Sequence, residues 1–183
     1  MRLRNSNLAA VAASAALLLT MGATLTRGDD SHLSEYQVKA LDLFNFTKFV
    51  DWPAASFADE HSPFCICVLG DDPFGKFLDQ ILEGEEINGR KLVIQRIRRV
   101  PEQKSCQVLF VSGSEKEVGK TLAPLGPGVL TVGEGDEFRQ AGGVITFVTE
   151  NRHVRFDINQ RAAGNARLVI SSRLLSVARN VER

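Results

Sequence analysis

Three cysteines are the side chains in this sequence whose type and spacing best support chemistry, because a thiol can form a disulfide, bind a metal or act as a nucleophile. Cys65 and Cys67 lie two residues apart in the apolar stretch FCICVLG. On a strand both point to the same side, which makes a direct bond between them awkward. A bond from either of them to Cys106 would close a loop of about 40 residues and stabilise the fold by roughly 4 kcal/mol. The remaining thiol is then either a small buried apolar side chain or a redox group.

The stretch PFCICVLGDDPFG, residues 63 to 75, combines an apolar strand, a glycine and a helix start, as nucleotide-binding units do. Its glycines lack the G-x-G-x-x-G spacing, and it carries no Walker lysine. Asp71 and Asp72 would repel a phosphate from the helix N-terminus, whereas Asp72 followed by Pro73 is a suitable helix N-cap. The stretch therefore predicts a strand, a turn and a helix rather than a phosphate site.

No other segment carries a catalytic pattern. GDEF at 135 to 138 matches part of the Gly-Gly-Asp-Glu-Phe signature of diguanylate cyclases, but Glu134 stands where the first glycine should be, so we interpret the match as chance. The histidines at 32, 61 and 153 are isolated, and neither H-E-x-x-H nor G-x-S-x-G occurs. The sequence thus predicts a protein with no enzymatic activity, no cofactor and no metal site.

The first 27 residues have the composition of a cleaved secretory signal: early arginines, an apolar run rich in Ala, Ser and Thr, and small residues after it. We place the cleavage between residues 22 and 28. The alternative is an uncleaved membrane anchor, which would need about 20 strongly apolar residues. Residues 28 to 183 then form the mature chain, about 155 residues, which is enough for one domain. Lys plus Arg and Asp plus Glu both number 22, so the charge balance disfavours nucleic acids and acidic membranes as partners.

The pattern of apolar runs predicts an α/β fold. A helix is expected over 34 to 51, with Ser34 as N-cap, and strands alternate with helical stretches up to residue 133. Two further strands joined at Glu150-Asn151 predict a hairpin, and SSRLLSVARNV predicts a last helix with Leu174 and Val177 on its core stripe. We expect a single compact domain whose mostly parallel sheet is covered by helices on both faces, followed by the hairpin and the final helix. The predicted strands are 64 to 70, 92 to 97, 107 to 112 and 128 to 133.

The first helix is apolar nearly all round, so more than one side of it must be buried. One side carries Tyr36, Ala40, Leu43, Phe46 and Val50. The other side carries Val38, Leu41, Phe49 and Trp52. Leu41, Phe49 and Trp52 on this second side are candidates for a partner-binding surface, with the aromatic rings as anchors. The alternative is that the sheet and the C-terminal helix cover both sides.

Six segments occur in order along the chain: KALDLFNFTKFVDWP, CVLGDDPFG, SCQVLFVS, AGGVITFV, VRFDIN and SSRLLSVAR. Together they resemble the YfiR-like periplasmic proteins. The resemblance implies a compact, often dimeric α/β domain without catalytic activity that represses a membrane diguanylate cyclase from the periplasm. It also implies a disulfide between Cys67 and Cys106. A second family pair would fall near Ala141 and Val148, where this chain has no cysteine, while Cys65 is additional.

The leading hypothesis is a non-enzymatic periplasmic regulator that binds and represses the periplasmic sensory domain of an inner-membrane diguanylate cyclase or sensor kinase. A second copy of the chain, in a homodimer, is the other partner that the hypothesis leaves open. One alternative is a periplasmic small-molecule binding protein, with Arg155 and Arg173 contacting an anionic ligand in the crevice at the carboxyl ends of the strands. A thiol-active enzyme built on Cys65 is disfavoured because the chain has no C-x-x-C motif.

Overall fold

Helix α1 (Glu35–Phe49) begins at the predicted N-cap. The Gln37 N–H donates to Ser34 Oγ at 3.3 Å, and the Ser34 N–H donates to Gln37 Oε1 at 2.8 Å, which completes a capping box. The backbone becomes extended at Val50, three residues before Pro53. The computed structural model describes residues 33–100 and 105–183, so the predicted secretory signal lies outside the described residues.

Ten strands and six helices occur in the described part of the chain, together with a short 3-10 helix over Ala54–Ser56. The helices after α1 are α2 (Lys76–Leu82), α3 (Val118–Leu122), α4 (Gly135–Gln140), α5 (Gln160–Asn165) and α6 (Ser172–Val177). The strands are β1 (Val50–Asp51), β2 (Phe64–Leu69), β3 (Glu86–Ile87), β4 (Arg90–Ile97), β5 (Val108–Val111), β6 (Leu130–Glu134), β7 (Ile145–Glu150), β8 (His153–Asn159), β9 (Val169–Ile170) and β10 (Asn180–Glu182).

Eight of these strands form one sheet in the order β10-β8-β7-β6-β5-β2-β4-β3. The five strands from β7 to β4 in this order are mutually parallel, as expected for strands linked by helices. β8 is antiparallel to β7, and the turn residues Asn151 and Arg152 both have positive φ, which suits a two-residue hairpin. A separate ribbon pairs β1 with β9, where Val50 lies opposite Ile170 and Asp51 opposite Val169.

The core consists of two clusters, one on each face of the sheet. Because side chains alternate along a strand, β2 supplies Phe64, Ile66 and Val68 to the first cluster and Cys65, Cys67 and Leu69 to the second. The first cluster is covered by α1, α2, α5 and α6, and the second by α3 and α4. All six residues of β2 are buried, which explains why its sequence is apolar without interruption.

The structure confirms the predicted fold class: an α/β domain with a mostly parallel sheet, helices on both faces, a C-terminal hairpin and a helix after it. The hairpin turn lies one residue later than expected, at Asn151-Arg152. Within the described residues, no helix is both long and apolar enough to cross a bilayer.

Two local predictions are wrong. Asp72 does not cap α2, which begins at Lys76 after Gly75. Its carboxylate instead accepts from the Phe74 N–H at 2.8 Å and from Arg96 Nε at 2.7 Å, so it holds a turn in front of the helix. The last helix is shorter than predicted, because the chain leaves it after Val177 and continues into edge strand β10; Val177 is 60% exposed and is not a core residue.

Candidate functional site

The three cysteines meet on one face of the sheet, near the amino end of β5. Cys67 on β2 is bonded to Cys106, which lies two residues before β5, and the two Cα atoms are 5.7 Å apart. This is the pair that the family resemblance implied. Cys65 is a free, buried thiol whose Sγ lies 3.8 Å from Cys67 Sγ, so both side chains point to the same side of β2 as the alternation predicts.

The surroundings of Cys65 decide what its thiol can do. The side chain lies inside the second core cluster, and this burial raises the pKa of the Cys65 thiol to about 11. The thiolate is the reactive form of cysteine, so Cys65 is a poor nucleophile in the folded protein. The geometry therefore supports a structural disulfide beside an inert thiol.

Gln107 connects this region to the loop that follows α1. Its side-chain Oε1 accepts from the Cys65 N–H at 2.8 Å, and its Nε2 donates to the Ser56 carbonyl at 2.7 Å. The Gln107 carbonyl accepts from Trp52 Nε1 at 3.1 Å. Gln107 is 2% exposed, so each of these bonds satisfies a polar group that water does not reach. No sequence pattern indicates this role, because the partners come from distant segments.

A polar cleft of about 480 Å³ lies at the carboxyl end of β6, between the first turns of α1 and α4. Lys39 lies at its inner end with a side chain that is 3% exposed. Its ammonium group is paired with Glu35 and lies 3.2 Å from Glu134 Oε1. The Glu134 contact lacks hydrogen-bond geometry, since this buried oxygen has no hydrogen-bond partner among the described residues. The sequence alone does not predict a role for Lys39, because a single lysine in an apolar helix carries no distinctive pattern.

The polar cleft is lined by side chains of both signs: four are acidic, Glu35, Glu134, Asp136 and Asp157, and three are basic, Lys39, Arg139 and Arg179. Hydrogen bonds from Lys39 and Thr149 lower the pKa of Glu35, while burial and the neighbouring Glu134 raise the pKa of Tyr36. Arg179, which also lines the cleft, donates to Asp157. Cations that are already paired in this way do not create a strong electrostatic field of one sign. A ligand would have to exchange with their present partners.

The described residues include no group of three His, Cys, Asp or Glu side chains arranged to hold a metal ion. His61 lies in the exposed turn before β2, and His153 begins β8, so these two histidines are on separate elements. His32 lies outside the described residues. Neither His61 nor His153 is among the residues that form the cysteine cluster or line the polar cleft.

Of the three predicted partner-binding residues, Leu41 lies in the middle of α1, Phe49 is its last residue and Trp52 follows strand β1. Leu41 is partly buried, and Phe49 and Trp52 are partly buried side chains that pack against the first core cluster. Trp52 also makes an edge-to-face contact with Phe64, with ring centroids 4.8 Å apart. Val169, which lies opposite Asp51 in the β1–β9 ribbon, is an apolar side chain that is 63% exposed. We call Leu41, Phe49, Trp52 and Val169 the α1 end surface.

Asp42 follows Leu41 on α1 and is also partly buried. Burial raises the pKa of its carboxyl group to about 6. No hydrogen bond or ion pair joins it to another described residue. A carboxylate in this position is therefore an unfavourable charge at neutral pH.

The two arginines proposed as ligand-binding residues lie apart. Arg155 is exposed on β8, opposite Val148, and Val148 lines the polar cleft. Arg173 is exposed in the first turn of α6, and its carbonyl accepts from Ser176 Oγ at 2.8 Å. The structure places Arg155 beside the cleft, whereas Arg173 is not among the residues that line it.

A family described as YfiR/HmsC-like matches residues 36–179, which span all elements from α1 to the end of α6. No curated protein matches the chain.

Proposed function

Because the chain belongs to the YfiR/HmsC-like family, we propose that it is a non-enzymatic periplasmic regulator that binds and represses the periplasmic sensory domain of an inner-membrane diguanylate cyclase. Family membership over nearly all of the described residues is the observation that carries this proposal. The Cys67–Cys106 disulfide supports it, since such bonds persist in oxidising compartments such as the periplasm. The secretory signal predicted for residues 1 to 27 is consistent with that location.

A regulator of this kind acts by preferring one conformation of its receptor. Binding shifts the receptor towards that conformation only as far as the two affinities differ, and a hundredfold difference corresponds to about 2.7 kcal/mol. No chemical step is required of the regulator. Its own structure must then present a rigid surface, and the two packed core clusters and the disulfide provide that rigidity.

The α1 end surface is the proposed contact for the receptor. Half-buried aromatic side chains held by the core are suitable anchors, because little conformational entropy is lost when they bind. Phe49 and Trp52 are of this type, and the surface also includes the exposed apolar side chain of Val169. A second copy of the chain could use the same surface, so a homodimer is the competing occupant.

Deletion of the gene in its native bacterium tests the regulatory role. Intracellular cyclic-di-GMP should rise, and the full chain should restore the lower level, whereas a version without residues 1 to 27 should not. Unchanged cyclic-di-GMP would refute repression of a cyclase. Affinity capture from solubilised membranes would then name the receptor, and recovery of a sensor kinase instead of a cyclase would correct its class.

A small-molecule binding function is the alternative, and the polar cleft is the observation that favours it. Arg155 beside the cleft and Lys39 inside it could contact an anionic group. A thermal-shift series with citrate, inorganic phosphate and short dicarboxylates would show it: saturable stabilisation that Arg155→Ala abolishes and Arg173→Ala does not would support a cleft site. Equal loss in both variants would argue for non-specific charge effects.

A further inference from the structure

The polar cleft contains a buried hydroxyl group that the fold leaves without a partner. Thr146 on β7 lines the cleft and is 4% exposed. Within the part of the chain that the structure describes, its hydroxyl is neither hydrogen-bonded nor sealed off from the cleft. Buried polar groups are almost always hydrogen-bonded. Water or a ligand in the cleft must therefore supply the bond to Thr146.

A buried ion pair on β8 and the segment after α6 adjoins this hydroxyl. Asp157 lies opposite Thr146 in the β7–β8 register and is 8% exposed. Arg179 donates to Asp157 through Nε at 2.8 Å and also through Nη2. A guanidinium carries more N–H donors, and a carboxylate more acceptor positions, than this pair uses. Both side chains line the cleft, so the pair can bond a ligand there while it stays intact.

The inner end of the cleft also has unused donors and acceptors. Among the described residues the Lys39 ammonium group donates a hydrogen bond to Glu35 alone, so it keeps spare N–H donors. Glu134 Oε2 accepts from the Tyr36 hydroxyl at 3.3 Å, and the Glu134 side chain is 21% exposed. This carboxylate can therefore accept a further bond. The cleft thus combines spare donors with spare acceptors.

Charge decides which kind of ligand suits the cleft. Each charged side chain that lines it is paired with a lining residue of opposite sign: Glu35 and Glu134 with Lys39, Asp136 with Arg139, and Asp157 with Arg179. Arg155 and Glu150 beside the cleft add one charge of each sign. An ion of either sign would have to break one of these pairs to recover the free energy of its own desolvation.

A hydroxyl group satisfies both kinds of spare bond. It donates one hydrogen bond and accepts others, whereas an ammonium group only donates and a carboxylate only accepts. Several hydroxyls on one small ligand would serve the separate groups of the cleft without adding charge. The cleft volume of about 480 Å³ lies within the roughly 300–1,000 Å³ of typical small-molecule sites.

We propose that the polar cleft binds a small neutral ligand with several hydroxyl groups, of the chemical class of the hexose sugars, and that the buried Thr146 hydroxyl is one of its contacts. This ligand differs in charge from the anion considered above as an alternative function. None of the residues of the α1 end surface lines the cleft. The proposal therefore goes beyond repression of a receptor, and failure of either leaves the other untouched.

Three neutral hexoses, glucose, galactose and mannose, test the proposal on residues 28 to 183. We expect at least one of them to bind saturably in isothermal titration calorimetry. Each has two analogues of nearly the same shape, since its 2-amino form is a cation and its uronic acid an anion. The hexose that binds should do so at least about ten-fold tighter than either analogue. Its affinity should be the same at about 0.05 M and about 0.5 M salt, because salt screens charged ligands only.

Thr146→Val tests the contact. The substitution keeps the shape of the side chain and removes its hydroxyl, so affinity should fall at least about five-fold. It should not lower the melting temperature, because the lost hydroxyl has no partner in the fold. Thr121→Val on α3, away from the cleft, is the matched control and should bind the hexose normally. In NMR titrations of the unmodified chain, the amides of Gly135 and Val148 should shift, whereas that of Gly119 should not.

Four results would overturn the proposal. If none of the three hexoses binds below about 10 mM, the cleft holds water only. A uronic acid that binds tighter than its hexose would assign the cleft to anions, and an amino sugar that does so would assign it to cations. Full affinity in Thr146→Val, with amide shifts away from the cleft, would place the hexose at another site.

Discussion

The Cys65 sulfur lies 3.8 Å from the Cys67 sulfur that is bonded to Cys106. A thiolate at this distance could attack the bond and release one of its sulfurs as a thiolate, so that a different disulfide forms. The fold prevents this exchange, because burial raises the pKa of Cys65 to about 11 and keeps the thiol protonated. Protection of the native bond therefore depends on the folded state itself.

Unfolding should remove this protection. In the native protein at pH 8, iodoacetamide should leave Cys65 unmodified; in concentrated urea at the same pH, Cys65 should react, and without the reagent it should generate rearranged disulfides. Peptide mapping under non-reducing conditions measures both outcomes. Cys65→Ser is the matched control and should retain only the Cys67–Cys106 bond. Alkylation of Cys65 at the same rate in native and unfolded protein would contradict protection by the fold.

Gln107 should be one of the most sensitive polar positions. Gln107→Leu leaves the Cys65 N–H and the Ser56 carbonyl without partners, and each unsatisfied buried group costs about 1–3 kcal/mol. We expect the free energy of unfolding to fall by about 2–4 kcal/mol in urea titrations. Gln95→Leu, at an exposed position of β4, is the control and should change it by less than about 0.5 kcal/mol. Equal effects of the two substitutions would refute a special role for Gln107.

Substitutions of Lys39 and Glu134 should have strongly coupled effects on the free energy of unfolding. Lys39→Met keeps much of the side-chain volume but leaves the buried Glu134 oxygen without its cation, so stability should fall by about 3 kcal/mol. Adding Glu134→Gln removes the uncompensated charge and should restore at least half of the loss. Lys116→Met on the surface serves as the control. Additive effects in this double-mutant cycle would show that the two side chains act independently.

Asp42 should make stability depend on pH. Its carboxyl pKa rises from 3.8 in the unfolded chain to about 6 in the fold, so between these values the folded state binds the extra proton and stability falls as pH rises. Asp42→Asn should therefore stabilise the domain at pH 7.5 by about 1–2 kcal/mol, after allowance for partial exposure.

The same measurement on Asp42→Asn at low pH distinguishes an effect of the carboxylate charge from an effect of packing. At pH 3, where Asp42 is protonated in both states, Asp42→Asn should have little effect on the free energy of unfolding. Urea titrations at the two pH values provide the comparison, with Asp51→Asn at an exposed position as the control. A stabilisation of equal size at both values would point to packing instead of ionisation.

The sequence predicted the parts of this fold that depend on local pattern. The uninterrupted apolar run of β2 and the Ser34 capping box depend on residues close together in the chain, so both were predictable. Asp72 was misassigned because Arg96, 24 residues later, competes for its carboxylate. Val177 was wrongly predicted to be a core residue of a longer helix, because the residues that follow it pair with β8 as an edge strand.

The candidate sites were less predictable for the same physical reason. Lys39 and Gln107 gain their roles from partners on distant segments, such as Glu134 for the lysine and Ser56 for the glutamine. An isolated lysine or glutamine in a sequence carries no signal of such partners. Cys67 and Cys106 were identifiable because the family resemblance implies their pairing. Leu41, Phe49 and Trp52 remain predicted partner-binding residues.

The Cys67–Cys106 bond also sets how the molecule responds to mechanical tension. It joins two residues 39 positions apart whose Cα atoms are 5.7 Å apart, and the enclosed loop contains α2, β3 and β4. A receptor or membrane that pulled on the chain ends could not stretch this loop while the bond is intact. At about 3.4 Å per residue, oxidation therefore hides about 130 Å of contour length. Under load, α2, β3 and β4 would bear no tension until the bond is broken.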